Sequence, residues 1–515
     1  MLTCAAQATF IRLDFGNNGH SDSTKYALDG DRLPTVDGGG FRFHLVGSGT
    51  LAMSISSTFP IELISKYGLA GPRYTSYPTA LQFHEGFDAE AYRRHVQRSN
   101  DDLIPLPLSL YVHLPFCDTL CYYCACNKKV TRNDSLARSY LQHLDREIEM
   151  QGELFDRDRQ VIQLHFGGGT PTYYDDMQLK HIIEKLSENF FLSRSSSREF
   201  SIEIDPRTVN RDRIAYLADI GFNRVSMGIQ DFDPAVQKAV NRIQDEEKTL
   251  NLIAAARNSG FNSVSVDLIY GLPLQTAKSF ETTIDSVLSV RPDRLSVYNY
   301  AHLPHLFRAQ RMISSEDVPT PEVRLELLAS TINKLVDAGY VYIGMDHFAL
   351  PDDELSIAMN NGTLQRNFQG YSTCRATDLV GLGVSAIGKV GNSFVQNRKD
   401  IRDWQAAIDE DRLPVWRGIS LSGEDKLRRE VISTIMCQGK LSFGEIEREF
   451  GIDFDDHFAF ELNSLKPLQA DGLVNFNEQG LEVSAEGLLL LRAIAMKFDE
   501  YLVTEKSGKA YSKVI

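Results

Sequence analysis

Four cysteines lie within ten residues of one another, as Cys117, Cys121, Cys124 and Cys126, directly after the apolar run 108–114. Cysteines at positions i, i+4 and i+7 of a short loop can direct three sulfur atoms toward one centre. Three thiolates on a four-iron cluster leave one iron without a protein ligand, and a substrate or cofactor can bind there. The spacing therefore indicates an iron–sulfur site with one open iron.

Two other interpretations of these cysteines remain open on spacing alone. A structural zinc site normally closes with four Cys or His ligands. Buried cysteines are also common as small apolar side chains. The choice depends on the elements that position the loop.

The composition is that of a globular protein, with 515 residues, 43% hydrophobic and 24% charged. This length predicts one large domain with smaller units. The net charge of −15 argues against a nucleic-acid partner, and an anionic ligand would need a local basic pocket. No run approaches the length of a membrane span. Few, clustered cysteines suit a reducing compartment, so we expect a cytoplasmic protein.

Short β-branched runs alternate with segments of helical periodicity over about 190 residues. This alternation predicts an α/β fold with a parallel sheet, closing into a partial (β/α)6 TIM-like barrel. The predicted strands are 108–114, 161–166, 200–204, 224–229, 263–269 and 294–298. The clearest predicted helices between them are 139–151, 177–190 and 248–259.

We divide the chain into five predicted regions. They are a disordered extension (1–52), an N-terminal arm (53–107), the barrel (108–305), a barrel extension and connecting region (306–420), and a C-terminal winged-helix-like domain (421–515). The acidic helices of the last region favour a cover over the barrel mouth, not a DNA-binding role. The arm segment 71–79 contains Arg73 and two tyrosines. It is either a packed loop or the lining of a pocket for an acidic, ring-shaped ligand.

Polar residues follow each predicted strand, at the rim where barrels of this type carry their active sites. The spacing Cys-x3-Cys-x2-Cys, with Tyr123 before the third cysteine, resembles the signature of radical S-adenosylmethionine (SAM) enzymes. A sulfonium nucleoside offers an ammonium, a carboxylate, a ribose and an adenine. Gly167–Gly169 would let the backbone approach the amino-acid end, Glu203 suits the ammonium, and Arg242 suits the carboxylate. Gln230 and Asp267 suit the ribose hydroxyls, and Tyr123 and Ala301 could flank the adenine. Taken singly, each is better explained by packing or solvation, whereas the set indicates a site.

From about residue 55 onward, the sequence resembles the family of oxygen-independent coproporphyrinogen III oxidases, members of the radical SAM superfamily. The first 52 residues lie outside the resemblance. Ten segments carry it, which are 74–79, 111–117, 124–128, 165–172, 225–232, 267–273, 293–304, 343–348, 367–371 and 383–387.

The resemblance implies that Cys117, Cys121 and Cys124 bind a [4Fe–4S] cluster and that Cys126 is not a ligand. It also implies a second SAM beside the first, with Ile387 near it. The residues implied to contact SAM are Tyr111, Tyr123, Gly168, Gly169, Thr170, Glu203, Gln230, Arg242, Asp267, Ala301 and Ile387.

The implied reaction is the oxidative decarboxylation of two propionates of coproporphyrinogen III to vinyl groups, which gives protoporphyrinogen IX. A deoxyadenosyl radical would take a hydrogen atom from the β-carbon of each propionate. Carbon dioxide and one further electron would then leave, so an electron donor and an acceptor are implied partners of a monomeric enzyme. A radical SAM haem chaperone, which binds and delivers haem, is the alternative.

Overall fold

The computed structural model describes residues 42–46, 50–54, 61–68, 71–373 and 377–504. The N-terminal elements are β1 Arg42–Val46, β2 Thr50–Ser54, α1 Ile61–Tyr67 and α2 Ala89–Asn100. Strands β1 and β2 pair in antiparallel register, from Arg42 with Ser54 to Val46 with Thr50. This pair corrects the prediction of disorder at 42–46 and 50–52, because backbone pairing orders these stretches. The rest of the predicted extension lies outside the described residues.

The barrel region alternates strands and helices, as the sequence pattern predicts. Its elements are β3 Leu108–Leu114, β4 Phe116–Cys117, β5 Lys129–Val130, α3 Asp134–Gly152, β6 Gln160–Gly168, α4 Asp176–Asn189, β7 Phe191–Leu192, β8 Glu199–Ile204, α5 Arg211–Asp219, β9 Arg224–Gln230, α6 Pro234–Ala239, α7 Glu246–Asn258, β10 Ser263–Tyr270, α8 Ala277–Val290 and β11 Arg294–Asn299. Strands β3, β6, β8, β9, β10 and β11 pair in parallel in that order. The predicted α/β partial barrel is confirmed.

The barrel strands are buried because helices cover their outer face. Leu110, Val112 and Leu114 of β3 are fully buried. Helix α4 begins at a capping box, in which the Asp175 side chain accepts from the Gln178 N–H and the Gln178 side chain accepts from the Asp175 N–H. Caps of this kind fix where each helix leaves the strand before it. The rim loops therefore start from a rigid frame.

The region after the barrel extends the sheet at both edges. Its elements are α9 Pro321–Asp337, β12 Val341–Gly344, β13 His347–Ala349, α10 Glu354–Asn360, β14 Gln365–Asn367, β15 Gly370–Ser372, β16 Asp378–Leu382, β17 Ile387–Val390, β18 Ser393–Asn397, α11 Ile401–Asp409 and β19 Val415–Ser420. Strand β13 pairs antiparallel with β11, and β16 pairs in parallel with β3. Strands β17, β18 and β19 then continue the sheet in antiparallel order.

A buried carboxylate joins the barrel to this added sheet. Glu147 of α3 is fully buried, and its carboxylate accepts from Gly383 N–H at 2.7 Å, Asn397 Nδ2 at 2.6 Å and Trp404 Nε1 at 3.2 Å. Trp404 also stacks on Tyr140, with 4.5 Å between ring centres. The loop before β17 is therefore fixed against a barrel helix.

The C-terminal region is mainly helical and carries a small sheet. Its elements are α12 Gly423–Gln438, β20 Lys440–Ser442, α13 Phe443–Phe450, α14 Phe454–His457, α15 Ala459–Ala470, β21 Val474–Asn477, β22 Gly480–Val483, α16 Leu491–Ala495 and α17 Glu500–Thr504. Helices α16 and α17 are separate elements and do not form one continuous last helix. The chain is extended at Asp499, which is buried and accepts a 2.9 Å hydrogen bond from the Tyr74 hydroxyl. The division of the chain into five regions stays a prediction.

Candidate active site

The three cysteines predicted to bind a cluster line one cavity at the carboxyl ends of the barrel strands. This cavity, here called the rim cavity, has a volume of about 400 Å³. Cys117 and Cys121 are buried, and Cys124 is half-buried. The lining contains most of the other predicted site residues, namely Tyr123, Gly168, Gly169, Thr170, Glu203, Gln230, Arg242 and Asp267. Residues from the loop and from four different strands therefore meet around one space.

Backbone hydrogen bonds hold the cysteine loop in place. The N–H of Lys129 donates to the Pro115 carbonyl at 2.8 Å, and the N–H of Thr131 donates to the Cys117 carbonyl at 3.0 Å. The N–H of Tyr122 donates to the Val240 carbonyl at 2.9 Å, which ties the loop to the segment before Arg242. The position of the sulfur atoms is thus set by the sheet and by the segment that carries Arg242.

Hydrogen-bond donors surround two of the sulfur atoms. The Thr170 hydroxyl donates to Cys117 Sγ at 3.4 Å, and N–H groups of Arg207 and Arg242 each donate to Cys121 Sγ at 3.5 Å. Burial raises the pKa of the Cys117 thiol to about 11, although the Thr170 hydroxyl opposes this shift. Cationic donors stabilise negative charge on sulfur, so the environment of Cys121 suits a metal-bound thiolate.

The structural-zinc interpretation finds no ligand set in the described ranges. There, no three His, Cys, Asp or Glu side chains converge as ligands of one metal ion do. A four-iron cluster is larger than a single ion, and its thiolates attach at different irons. The four thiols that line the rim cavity, Cys117, Cys121, Cys124 and Cys126, thus do not converge on one ion in the described structure.

Two glycines allow the end of β6 to approach the end of β3. Gly168 has a φ of +118°, and a Cβ there would lie 2.8 Å from the His113 ring. A Cβ on Gly169 would lie 2.6 Å from the Pro115 carbonyl group. From the sequence, these glycines were interpreted as letting the backbone come close to a ligand. The structure shows that they are also needed for the packing of β6 against the end of β3.

Glu203 and Asp267 both line the rim cavity but have different hydrogen-bond partners. Burial by itself would raise the pKa of Glu203, but the hydrogen bond and charge of His165, whose Nε2 lies 3.3 Å away, hold it below its ordinary value. Burial raises the pKa of Asp267 to about 6, and Glu203 adds to the rise. The Ser226 hydroxyl donates to Asp267 at 3.0 Å. Glu203 is thus the carboxylate better suited to a cationic ligand group.

Sequence reasoning missed the partner of Arg242. Arg242 is buried and donates to Asp205 Oδ2 at 3.0 Å, to Cys121 and to the Gly228 carbonyl. Arg207 donates to the same Asp205 oxygen at 2.7 Å. Burial would raise the pKa of Asp205, but Arg242 and Arg207 hold it at about 2. The spacing of Asp205 two residues after Glu203 was the available signal, because alternate strand residues share a face.

Gln230 carries a polar atom that fits a ligand. The residue is buried with a φ of +72°, and its Oε1 is buried without a hydrogen-bond partner among the described residues. Buried polar groups are almost always hydrogen-bonded. Gln230 lines the rim cavity, so its buried Oε1, which has no described partner, is suited to accept a hydrogen bond from a ligand hydroxyl.

Ala301 lies beside Tyr123, outside the described lining of the rim cavity. The side-chain amide of Gln310 donates to the carbonyls of Tyr123 and Ala301, both at 3.1 Å. Gln310 is buried, so this bridge fixes the two backbone segments relative to each other.

Tyr111 and Ile387 lie at a second cavity of about 500 Å³, here called the side cavity. It shares Cys126 and Gly168 with the rim cavity. The Tyr111 ring stacks on His165 with 5.8 Å between ring centres, and its hydroxyl lies 3.0 Å from His113 Nδ1. Two of the predicted contact residues therefore belong to a neighbouring space.

The arm at 71–79 is mostly a packed loop. Tyr74 and Tyr77 belong to the apolar core of the C-terminal region, and Arg73 pairs with Asp346 at 3.9 Å. Thr75 lines the side cavity. The arm thus joins the barrel to the C-terminal region and adds one residue to the cavity wall.

Comparison with known proteins agrees with this geometry. Residues 111–287 match the Radical SAM superfamily, and residues 421–490 match the HemN C-terminal domain. Together with the thiol-lined rim cavity, these matches define a radical SAM enzyme.

Several relatives share a more specific name. A Pseudomonas aeruginosa protein called oxygen-independent coproporphyrinogen III oxidase is 49% identical over 457 residues, which cover 88% of this chain and 98% of the relative. The Escherichia coli K12 protein of the same name is 48% identical over 455 residues, with the same coverage. The solved structure of E. coli coproporphyrinogen III oxidase (HemN), described as a radical SAM enzyme, has a TM-score of 0.82 and covers 86% of this chain and 99% of that one. The chain belongs to the family of oxygen-independent coproporphyrinogen III oxidases.

Proposed function

We propose that this protein catalyses the oxygen-independent oxidative decarboxylation of two propionates of coproporphyrinogen III to vinyl groups. Each propionate loses carbon dioxide, one hydrogen atom and one electron. The observation that carries the proposal is the identity of 48–49% with enzymes of that name along almost their whole length, with the three thiols on one cavity.

The residues of the rim cavity fit the groups that the family implies. Cys117, Cys121 and Cys124 would hold the [4Fe–4S] cluster, and Thr170, Arg207 and Arg242 donate to two of the sulfurs. When bound, the cluster and SAM supply the one-electron chemistry of the reaction.

The remaining rim residues would bind and orient SAM. Glu203 suits its ammonium, because His165 keeps that carboxylate ionised. Gln230 and Asp267 suit the ribose hydroxyls, since the first offers a buried acceptor and the second faces the same space. Arg242 already pairs with Asp205, so it would offer the SAM carboxylate only part of its hydrogen-bonding capacity. Gly168, Gly169 and Thr170 keep the backbone close to the ligand.

Tyr123 and Ala301 would flank the adenine, with Gln310 setting the gap between their backbones. Tyr111 and Ile387 are proposed to contact a second SAM in the side cavity. We also propose the division of the chain into the five regions that the sequence predicts.

We also propose the compartment, the redox partners and the oligomeric state of the enzyme. Few and clustered cysteines favour a reducing compartment, the cytoplasm. The electron balance requires a donor and an acceptor, and we propose that the enzyme acts as a monomer. Nucleic acid is not expected as a partner of a chain with a net charge of −15. Among the described residues, no helix is both long and apolar enough to cross a bilayer.

The test is an anaerobic assay with reconstituted cluster, reductant, SAM and coproporphyrinogen III, followed by mass spectrometry. We expect loss of two carboxyl groups together with formation of 5′-deoxyadenosine. Cys121→Ser should abolish both products, whereas Cys437→Ser, which changes a buried thiol of the C-terminal region, should not. Tight haem binding without a vinyl product would instead support the haem-chaperone alternative.

A further inference from the structure

A short basic strand lies on the outside of the cysteine loop. Strand β5 pairs in parallel with β4, so that Lys129 lies beside Phe116 and Val130 lies beside Cys117. Both residues of β5 are exposed. Neighbouring strands are about 5 Å apart, so the backbone of Cys117 is one strand spacing from an exposed surface. The surface formed by residues 127–132 is here called the basic edge.

Hydrogen bonds connect the basic edge to two of the three cysteines that are predicted to bind the cluster. The Thr131 N–H donates to the Cys117 carbonyl at 3.0 Å. The Lys128 ammonium donates to the Cys124 carbonyl, also at 3.0 Å. The basic edge is therefore joined directly to the backbone that carries these thiols, and a molecule bound on its outer side would lie close to the cluster.

The charge of the basic edge is opposite in sign to that of the whole chain. It contains Lys128, Lys129 and Arg132 and no acid, whereas the chain carries a net charge of −15. Lys129 and Arg132 are exposed, and neither forms an ion pair within the part of the chain that the structure describes. These two cations are therefore available to a partner.

The acids that flank the basic edge have contacts of their own. Burial raises the pKa of Tyr173, and the nearby carboxylates of Asp118 and Asp134 add to the rise, which places both acids near that ring. Asp134 also pairs with Arg138 at 3.9 Å. Residues 127–138 together carry four bases and one acid, so the positive charge of this surface is not cancelled by its own segment.

The proposed reaction indicates which kind of partner fits this surface. Each radical requires one electron at the cluster, so a donor has to reach the surface beside the thiols. The net charge of −15 repels an acidic protein from most of this chain, and a local basic surface would attract it and orient it. Val130 is 38% exposed and adds an apolar contact between the two bases.

We propose that the basic edge docks an acidic electron-carrier protein, which reduces the cluster from this position. In each transfer the carrier loses one electron and the cluster gains it, and no bond forms or breaks. This inference rests on the proposed function. It adds the charge of the electron donor and the surface at which the donor binds.

The first test measures binding of oxidised flavodoxin, used as an acidic one-electron carrier, to the reconstituted enzyme by isothermal titration calorimetry. Binding to the unmodified enzyme should weaken as salt is added, because salt screens charges between separate proteins. The double variant Lys129→Glu with Arg132→Glu should bind about tenfold or more weakly at low salt and lose most of the salt dependence. Iron and acid-labile sulfide per chain should be unchanged, because both side chains are exposed.

The matched control is Lys440→Glu with Lys466→Glu, which makes the same change of charge at two exposed lysines of the C-terminal region. It should bind flavodoxin nearly as well as the unmodified enzyme does. Equal losses in the two double variants would overturn the proposal, since the effect would then come from the total charge. Absence of flavodoxin binding to the unmodified enzyme would overturn it as well.

The second test compares two reductants in the formation of 5′-deoxyadenosine from SAM. With flavodoxin kept reduced by NADPH and its reductase, the Lys129→Glu, Arg132→Glu variant should lose about tenfold or more in kcat/KM for flavodoxin. With photoreduced deazariboflavin, a small uncharged reductant that needs no docking surface, its rate should equal that of the unmodified enzyme.

An equal loss with both reductants would overturn the proposal, because it would locate the defect in the cluster and not in docking. Failure of the proposed function would be seen separately. It would appear as absence of vinyl product when the unmodified enzyme is supplied with deazariboflavin, SAM and coproporphyrinogen III.

Discussion

Asp205 and Arg242 form a buried ion pair, with 3.0 Å between Oδ2 and Nη1, directly beside the sulfur of Cys121. Arg207 donates to the same carboxylate oxygen at 2.7 Å. One acid therefore orients both guanidinium groups that donate to this sulfur. Without its charge, two cations would face each other at a largely buried site.

Asp205→Asn should therefore lower the free energy of unfolding by about 3–5 kcal/mol, the usual cost of leaving a buried charge without its partner. The measurement is urea unfolding of the metal-free protein. Asp176→Asn is the control, because Asp176 pairs with Arg213 at 2.8 Å but is 43% exposed. It should cost about 1 kcal/mol or less. Equal costs for the two variants would contradict this account of Asp205.

Gly168→Ala should reduce both stability and SAM binding. The added methyl group would meet the His113 ring at 2.8 Å in a backbone conformation that already disfavours side chains. Gly260→Ala is the matched control, since Gly260 also has a positive φ, +85°, but nothing lies within 4 Å of its Cβ position. We expect the control to lose about 1 kcal/mol and to keep SAM binding, as measured by thermal unfolding and equilibrium dialysis. Equal losses of stability and of SAM binding in the two variants would show that backbone strain, and not the contact with His113, causes the effect.

Glu147 predicts a defined pH dependence of stability. Burial raises the pKa of its carboxyl to about 7, although hydrogen bonds from Gly383, Asn397 and Trp404 oppose the rise. The folded state then holds a proton that the unfolded state has released, so this group's contribution to stability falls as the pH rises from about 4.5 to about 7. Above that range the contribution is constant.

Glu147→Gln should remove this fall. From about pH 4.5 to pH 8, the difference in free energy of unfolding between the variant and the unmodified protein should change by about 3 kcal/mol in favour of the variant. Its stability at low pH is itself expected to drop, because an amide cannot accept from all three donors. Glu153→Gln, just after the end of the same helix and exposed, should leave the pH profile unchanged. The same slope in Glu147→Gln and the unmodified protein would assign the pH dependence elsewhere.

Cys126→Ser should keep the cluster, whereas Cys121→Ser should lose it. Cys126 lines both cavities, but it follows the three spaced cysteines without being one of them. The measurement is iron and acid-labile sulfide per chain after anaerobic reconstitution. Loss of iron from Cys126→Ser comparable to that from Cys121→Ser would make Cys126 a ligand.

The sequence predicted the barrel well because short strand-like runs rich in β-branched and apolar residues alternate with segments of helical periodicity. Strand 108–114 was placed without error, and the other five parallel strands were placed to within two residues. Helix α3 begins five residues before its predicted start, at the cap where the Asn133 side chain accepts from the Ser135 N–H at 3.0 Å. The polar first turn after this cap shows little apolar periodicity.

Long-range relationships were not predictable in the same way. The pairing of Arg242 with Asp205 and the placement of Ile387 on a separate cavity depend on how distant segments meet. The break at Asp499 depends on Tyr74, more than 400 residues earlier. Local sequence patterns do not predict such long-range contacts. The carboxyl ends of the strands in a parallel barrel, in contrast, always meet at the same rim, so their residues could be grouped from the sequence.

The pairing of β16 with β3 has a consequence for how the protein is made. Leu108 pairs with Asp378, about 270 residues later in the chain. At a synthesis rate of about 5–20 residues per second, one edge of β3, the strand that leads into the cysteine loop, waits some tens of seconds for its neighbour. Unpaired strand edges favour aggregation. The nascent chain therefore passes through a vulnerable interval, and the strand that leads into the cysteine loop gains this neighbour only after residues 378–382 have been made.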